Sequence, residues 1–306
     1  MIAVQEIARL RKLPLRELAA LALEQKLAKR GSQVSLCSII NAKSGKCSED
    51  CRFCTQSAHY HTDAPVYPLK NREEVLAAAG AAKKAGASRF SLVTSGRGIS
   101  RAEVGPIAEL VAAIRAEIDI KVCASLGIMD AEGLALLKEA GMSRYHHNLE
   151  TSREFFPKVV ATHTFDDRVK TIEACHAAGV EVCAGGIFGL GESEEDRISM
   201  ALSLRELEVD SVPLNILIPL PGTPLAGMAP IPAAEVLRSI ALYRLINPAV
   251  PIRLAGGRET ILTDLLGSAF MAGADGMMIG GYLTQRGRPP EDDRRFVAEI
   301  QRIWTS

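Results

Sequence analysis

Three cysteines crowd into one short stretch of this chain. Cys47, Cys51 and Cys54 lie in KCSEDCRFC, a C-x3-C-x2-C spacing. Three thiolates this close can hold three corners of a four-iron cube and leave the fourth iron without a protein ligand. Two other readings stay open. A structural zinc ion needs four ligands, which His59 or His61 could complete. The three could also be unconnected surface cysteines. The remaining thiols are Cys37, Cys123, Cys175 and Cys183, and an odd total in a chain of 306 residues argues against a disulfide framework.

A second group of reactive side chains is scattered through β-branched runs. Strand side chains alternate faces with period two. His146, Asn148 and Glu150 therefore share a face in RYHHNLE, Cys123 and Ser125 share one in VCASLG, and Cys183 and Gly185 share one in VCAGGI. Asn215 stands alone in VPLNILIP and Arg253 in PIRLAGG. Taken singly, each has a bland explanation: a polar group satisfied near a strand end, or a small buried thiol. Taken together, they put thiol, amide, carboxylate and guanidinium toward one interior. A lone buried Arg needs an anionic partner, and a second metal–sulfur centre would be one.

The elements that must position these residues alternate short β-branched runs with longer helical ones. Candidate strands are Val34–Ile40, Arg89–Thr94, Lys121–Leu126, Arg144–Leu149, Glu181–Ile187, Ser211–Ile218, Pro251–Leu254 and Gly276–Ile279. Helical patterns lie near Arg72–Ala85, Arg101–Ile118, Ala131–Ala140, Phe165–Ala178, Glu194–Leu207, Ala233–Ile246 and Glu259–Met271. Gly86, Gly141, Gly179 and Gly273 each follow an Ala at a helix end, as C-terminal caps do. Eight strands with intervening helices predict an α/β chain folded as a (βα)8 TIM-type barrel. No Gly-x-Gly-x-x-Gly stretch supports a doubly wound sheet. The expectation is one barrel domain over residues 1–306, with 1–33 a helical N-terminal extension, 34–282 the barrel and 283–306 a C-terminal loop and helix. The cysteine loop follows the first strand and so projects from the catalytic face.

Composition narrows the partners. Hydrophobic residues make up 47% and charged residues 24%, and 36 basic residues balance 36 acidic ones. A net charge of zero gives no electrostatic reason to expect nucleic acid or a membrane surface. No apolar run approaches the roughly 18 residues of a membrane span. Residues 1–30 mix both charge signs and lack a signal-peptide core, so the expected compartment is the cytoplasm.

At these residues the sequence resembles the biotin synthase family of the radical S-adenosylmethionine (SAM) superfamily. The matching phrases are SGKCSEDCRFCTQS, with Phe53 before the last cysteine, then RYHHNLETS, EVCAGGIFGLGES, SVPLNILIPLPGTPL and IRLAGGRE. The resemblance implies that Cys47, Cys51 and Cys54 hold a [4Fe–4S] cluster whose open iron binds SAM. One electron from it splits SAM to a 5′-deoxyadenosyl radical, and an auxiliary iron–sulfur cluster supplies sulfur to dethiobiotin, giving biotin. It also implies site roles. Asn148 and Glu150 match the positions that hold the SAM ribose, with Asn148 touching substrate too. Arg168 matches the position facing the SAM carboxylate. Phe53, Ile187 and Ile218 would flank the adenine. Asn215 matches a contact to the dethiobiotin ureido ring, and Thr284, in YLTQRG, would bind its carboxylate. A reductant such as flavodoxin or ferredoxin and a possible homodimer are family expectations. Outside the resemblance, Glu150 also fits a helix-start acid ahead of Thr151 and Ser152, and Arg168 a solvated helix residue.

The sequence departs from the better-known members in one place. They hold a [2Fe–2S] cluster on three strand cysteines and an arginine. Cys123, Cys183 and Arg253 match three of those positions, but the fourth is Ser91, whose oxygen is a poorer ligand for iron–sulfur than a thiolate. Cys37 offers a different thiol on the first strand. The expected auxiliary set is therefore Cys37, Cys123 and Cys183 with Arg253 beside or bound to the cluster. Three thiolates suit a four-iron cube with an extra sulfide to donate; a two-iron cluster is the alternative. Cys175 reads as a core residue. A related radical SAM enzyme of the hydrogenase-cofactor maturation or methylornithine-forming type is the competing activity, and a non-catalytic iron-binding barrel a third reading.

Overall fold

The computed structural model describes residues 4–284 and 287–306. Two helices, α1 (Val4–Arg11) and α2 (Leu15–Arg30), precede nine parallel strands: β1 (Ser35–Lys43), β2 (Arg89–Thr94), β3 (Lys121–Ser125), β4 (Met142–His146), β5 (Glu181–Cys183), β6 (Gly186–Phe188), β7 (Val212–Ile216), β8 (Ile252–Leu254) and β9 (Gly276–Met278). The crossover helices are α3 (Arg72–Lys84), α4 (Arg101–Glu117), α5 (Ala131–Glu139), α6 (Phe165–Ala177), α7 (Glu194–Glu206) and α8 (Ala233–Ile246). Two short helices, α9 (Arg258–Ile261) and α10 (Leu266–Met271), follow β8, and α11 (Pro290–Thr305) ends the chain.

The strands hydrogen-bond in the order β5-β4-β3-β2-β1-β9-β8-β7-β6. β5 and β6 are one kinked strand, so the chain itself closes the ring into an eight-position barrel. The expected single strand over Glu181–Ile187 is thus split at Ala184–Gly185. The break has a steric cause. A Cβ at Gly185 would lie 1.9 Å from the Pro213 carbonyl oxygen, and one at Gly186 would lie 2.4 Å from that of Glu150. Only glycine permits neighbouring backbones this close.

Local signals fit the alternation. Asn71, Thr164 and Ser193 cap α3, α6 and α7 with reciprocal capping boxes through Glu74, Asp167 and Asp196. Gly86, Gly141, Gly179 and Gly273 all take left-handed φ, as expected of residues just past a helix end. The helix expected over Glu259–Met271 is instead broken into α9, a 3-10 turn at Thr263–Leu265, and α10. Thr263 takes φ 45°, outside the right-handed helical region, so one continuous α-helix cannot run through it. β1 runs three residues past its expected end at Ile40, to Lys43, and this extension carries the chain up to the cysteine loop.

Lys43 at that end donates to Glu103 across 2.6 Å, and Glu103 also accepts the Ser100 backbone N–H at the start of α4. The Lys43 pair and this cap hold the Glu103 carboxyl down to about 2. A depressed acid stabilises the fold fully above its unfolded value near 4.5, and that contribution disappears as pH falls toward 2. The site is partly solvated, so Glu103→Gln is expected to cost only about 0.5–1 kcal/mol at pH 7. Urea denaturation should show this gap between variant and wild type closing between pH 4.5 and pH 2.

The N-terminal helices pack on the outside of the barrel, α2 along α8, with Arg11 of α1 paired to Glu194 at the start of α7. Lys26 of α2 sits buried over the Trp304 ring at 3.1 Å and donates to Gly31 O. Arg30 pairs with buried Asp275, which also accepts from Ile252 N and forms an ion pair with Arg244 at 3.2 Å. Among the described residues no helix is long and apolar enough to cross a membrane.

Candidate active site

The cysteine loop leaves the C-terminal end of β1 through a tight turn in which Gly45 and Lys46 both have positive φ. Gln56 ties the loop back to that strand: its Oε1 accepts from Asn41 Nδ2, Ser44 Oγ and Gly45 N. Backbone bonds from Cys47 N to Gln56 O and from Ala58 N to Cys47 O close the turn. Two residues between the cysteines clamp the loop from the other side. Asp50 accepts from Ala161 N and Thr162 N at 2.9 and 3.1 Å. Glu49 is buried against His163 and accepts from Thr162 Oγ1 at 2.7 Å. Burial opposes the charge of Glu49, yet Thr162 and His163 hold its carboxyl below the ordinary value. Glu49→Ala is expected to cost about 2–3 kcal/mol by stranding these buried partners. Its reconstituted loop iron should also be lost to a chelator several-fold faster than from wild type, read by iron absorbance.

Cys47, Cys51 and Cys54 border a cavity of about 230 Å³ that Phe53, Glu150 and Arg168 also line. Burial pushes the Cys51 thiol up to about 12 and the Cys54 thiol up to about 11. Thiolates form at such a site when a metal supplies the compensating charge. Among the described residues no three His, Cys, Asp or Glu converge as ligands of a single ion do, and His59 spends its Nε2 on Ser48 O at 2.9 Å. Three loop thiols with no fourth protein ligand among the described residues suit three corners of a cube better than a four-ligand structural zinc site.

Glu150 has φ 67° and is buried, which pushes its carboxyl up, while Arg168 at 3.7 Å pulls it down. No helix begins at Glu150, since α6 starts fifteen residues later at Phe165. Arg168 turns inward rather than to solvent, donating from Nη1 to Asn148 O at 2.9 Å; its buried Nε has no partner among the described residues. A left-handed glutamate and an incompletely bonded arginine at one cavity are features that a polar ligand would satisfy.

Below lies a second cavity of about 300 Å³, inside the barrel. Cys37, Cys123, Cys183, Ser91 and Arg253 all line it, so the strands do converge their polar residues on one interior. Asn148 and His146 line both cavities and join them. Asn215 lines the lower one, accepting from Gly256 N and donating to Gly186 O. Thr284 lines it from above, 3.5 Å from Thr55 Oγ1. Its neighbours Gln285 and Arg286, in the expected tail-binding loop, lie outside the described residues. Ile187 and Ile218 are not in the lining of either cavity; Ile187 is buried on β6, beside Asn215 in register.

Burial pushes the Cys37 and Cys183 thiols up, with Arg253 opposing in both cases. Arg253 Nε donates to Ser211 Oγ, but its buried Nη1 has no partner among the described residues, and neither has Ser91 Oγ. Thiols around a buried guanidinium with one nitrogen left unbonded fit an anionic iron–sulfur cluster. Cys175 lies fully buried on α6, away from both cavities. Two further residues belong to this layer: Arg89 and Arg144 line the same cavity and share Glu181 Oε2 at 2.9 and 2.8 Å. Arg89 Nη1 lies 3.9 Å from Cys123 Sγ. Their strand phase was a usable signal, since Arg89 shares a face with Ser91 and Arg144 with His146.

A parallel barrel carrying this three-cysteine loop at its C-terminal mouth defines a radical SAM enzyme, and the Radical SAM superfamily model matches residues 42–204. The Biotin and Thiamin Synthesis associated domain matches residues 213–301. The chain is 50% identical to the biotin synthase of Pelotomaculum thermopropionicum, covering 94% of this chain and 89% of that one. It is 53% identical to that of Geobacter sulfurreducens, over 88% of this chain and 82% of that one. The chain belongs to the biotin synthase family. Among solved structures, a methylornithine synthase superposes with a TM-score of 0.84 at 22% identity, covering 98% of this chain and 93% of that one. The FeFe-hydrogenase maturase HydG of Carboxydothermus hydrogenoformans gives 0.81 at 19%, covering 96% and 77%. At these identities the two establish the fold alone.

Proposed function

We propose that this chain converts dethiobiotin to biotin with sulfur held inside its barrel by Cys37, Cys123 and Cys183, with Arg253 against it. The observation that carries the reading is the meeting of three thiols and a buried, incompletely bonded guanidinium, that of Arg253, at one cavity. When bound, the loop cluster supplies the electron that cleaves SAM, and the interior cluster supplies sulfur.

The protein's own work is placement. Asn148 and Glu150 orient the SAM ribose, Arg168 faces its carboxylate, and Phe53, Ile187 and Ile218 flank the adenine. Asn215 holds the ureido ring of dethiobiotin between the two cavities, and Thr284 takes its carboxylate. Arg253 balances the charge of the sulfur centre. The closed strand ring keeps water from a carbon radical, for which a fixed near-attack position matters more than proton transfer. The electron donor is a flavodoxin or ferredoxin, the compartment is the cytoplasm, and the chain works as one domain that can pair as a homodimer.

Single-turnover assays test the reading. Anaerobically reconstituted protein with SAM, dethiobiotin and dithionite should form biotin together with 5′-deoxyadenosine. Deoxyadenosine without biotin would overturn it in favour of another radical SAM substrate.

A further inference from the structure

A third cavity, of about 550 Å³, opens at the opposite end of the barrel. Ser35, Ser88, Lys121 and Pro251, at or next to the N-terminal ends of their strands, surround it. Lys121, Ser88, Asp210 and Ala249 at its mouth are exposed. Its lining includes five cationic side chains, Arg30, Arg89, Lys121, Arg144 and Arg253, against one carboxylate, Asp210. Two neighbouring acids reduce but do not cancel this charge. Glu181 is shared between Arg89 and Arg144, and Asp275 pairs with Arg30 and Arg244.

Arg89, Arg144 and Arg253 line both this cavity and the cysteine-bearing one above it. A single layer of guanidinium groups is therefore the partition between the sulfur site and solvent on the underside. From the other face, sulfur would have to pass the positions of SAM and dethiobiotin, because Val93, Ser125, His146, Asn148 and Leu283 line both upper cavities. Each turnover removes a sulfur atom in the product, so later turnovers require replacement. A solvent-open, positively charged funnel behind the thiol layer concentrates small anions.

We propose that the underside cavity binds hydrosulfide and conducts it through the Arg89–Arg144–Arg253 layer to the interior thiols. The two ends of the barrel thus serve different reactants: SAM and dethiobiotin above, inorganic sulfur below. Binding and passage move neither electrons nor protons: hydrosulfide enters and is held as the monoanion, its charge met by the cationic lining. This inference rests on the interior sulfur-donor reading above.

The test uses full-length protein reconstituted with 34S sulfide, turned over once, then exposed to 35S sulfide while protein-bound radioactivity is followed. Lys121→Glu and Ala249→Glu each place a carboxylate at the exposed mouth, away from the reacting groups. The first turnover should be unchanged in both, with 34S in the biotin. Uptake of 35S should be about three- to tenfold slower in each variant, and wild-type uptake should slow as salt rises. Wild-type uptake rates in both variants would overturn the underside route while leaving the donor reading intact. First-turnover biotin lacking 34S would overturn the donor reading itself.

Discussion

Cys47→Ala, Cys51→Ala or Cys54→Ala is expected to lower reductive SAM cleavage by more than about 10⁴-fold, because residues that act as one unit cannot be removed singly at partial cost. The three thiols come from one loop pinned at both ends, by Gln56 to β1 and by Glu49 and Asp50 to the segment before α6. No other described cysteine lines that cavity, so nothing nearby can take the place of the missing ligand. Anaerobic reconstitution followed by chromatographic detection of 5′-deoxyadenosine checks this. Cleavage persisting at more than a few per cent of wild type would exclude the loop as the SAM-binding ligand set.

Cys37→Ser is expected to separate the two chemistries. SAM cleavage should persist within about threefold, while single-turnover biotin should fall by more than about 100-fold. Cys37 lies on β1 level with Arg89 and lines the cavity shared with Cys123, Cys183 and Arg253. Replacing its sulfur by oxygen removes a soft ligand from a site that already has Ser91 where another thiol could stand. Cys175→Ser is the internal control. That thiol is fully buried on α6 outside both cavities, so its replacement should cost about 1–2 kcal/mol of stability and leave biotin formation intact. Biotin formation surviving in Cys37→Ser would assign the second cluster to other ligands.

Much of this architecture was legible from residue order alone. The C-x3-C-x2-C loop, the repeated Ala-Gly joints and the strand positions of Cys123, Cys183 and Arg253 can all be read directly, and the fold gathers the loop cysteines at one cavity and Cys123, Cys183 and Arg253 at another. The misses have physical causes. Glu181–Ile187 has the composition of one strand, but the kink at Gly185 comes from a Pro213 carbonyl distant in sequence. Glu259–Met271 has helical periodicity, and only the backbone of Thr263 breaks it. Arg89 and Arg144 share strand phase with residues that were singled out. Phase along a strand, however, does not state the stagger between strands, so the layer they form emerges only when the barrel closes. Glu49 sits inside the recognised motif, yet its partner His163 is more than a hundred residues away.

The proposed second centre is a four-iron cluster on Cys37, Cys123 and Cys183. Iron and acid-labile sulfide per chain, measured with Mössbauer spectra on reconstituted protein before and after one turnover, test it most directly. About eight irons per chain are expected, with the interior signal changing as biotin appears. About six irons with biotin formed would contradict it and place a two-iron cluster there despite Ser91.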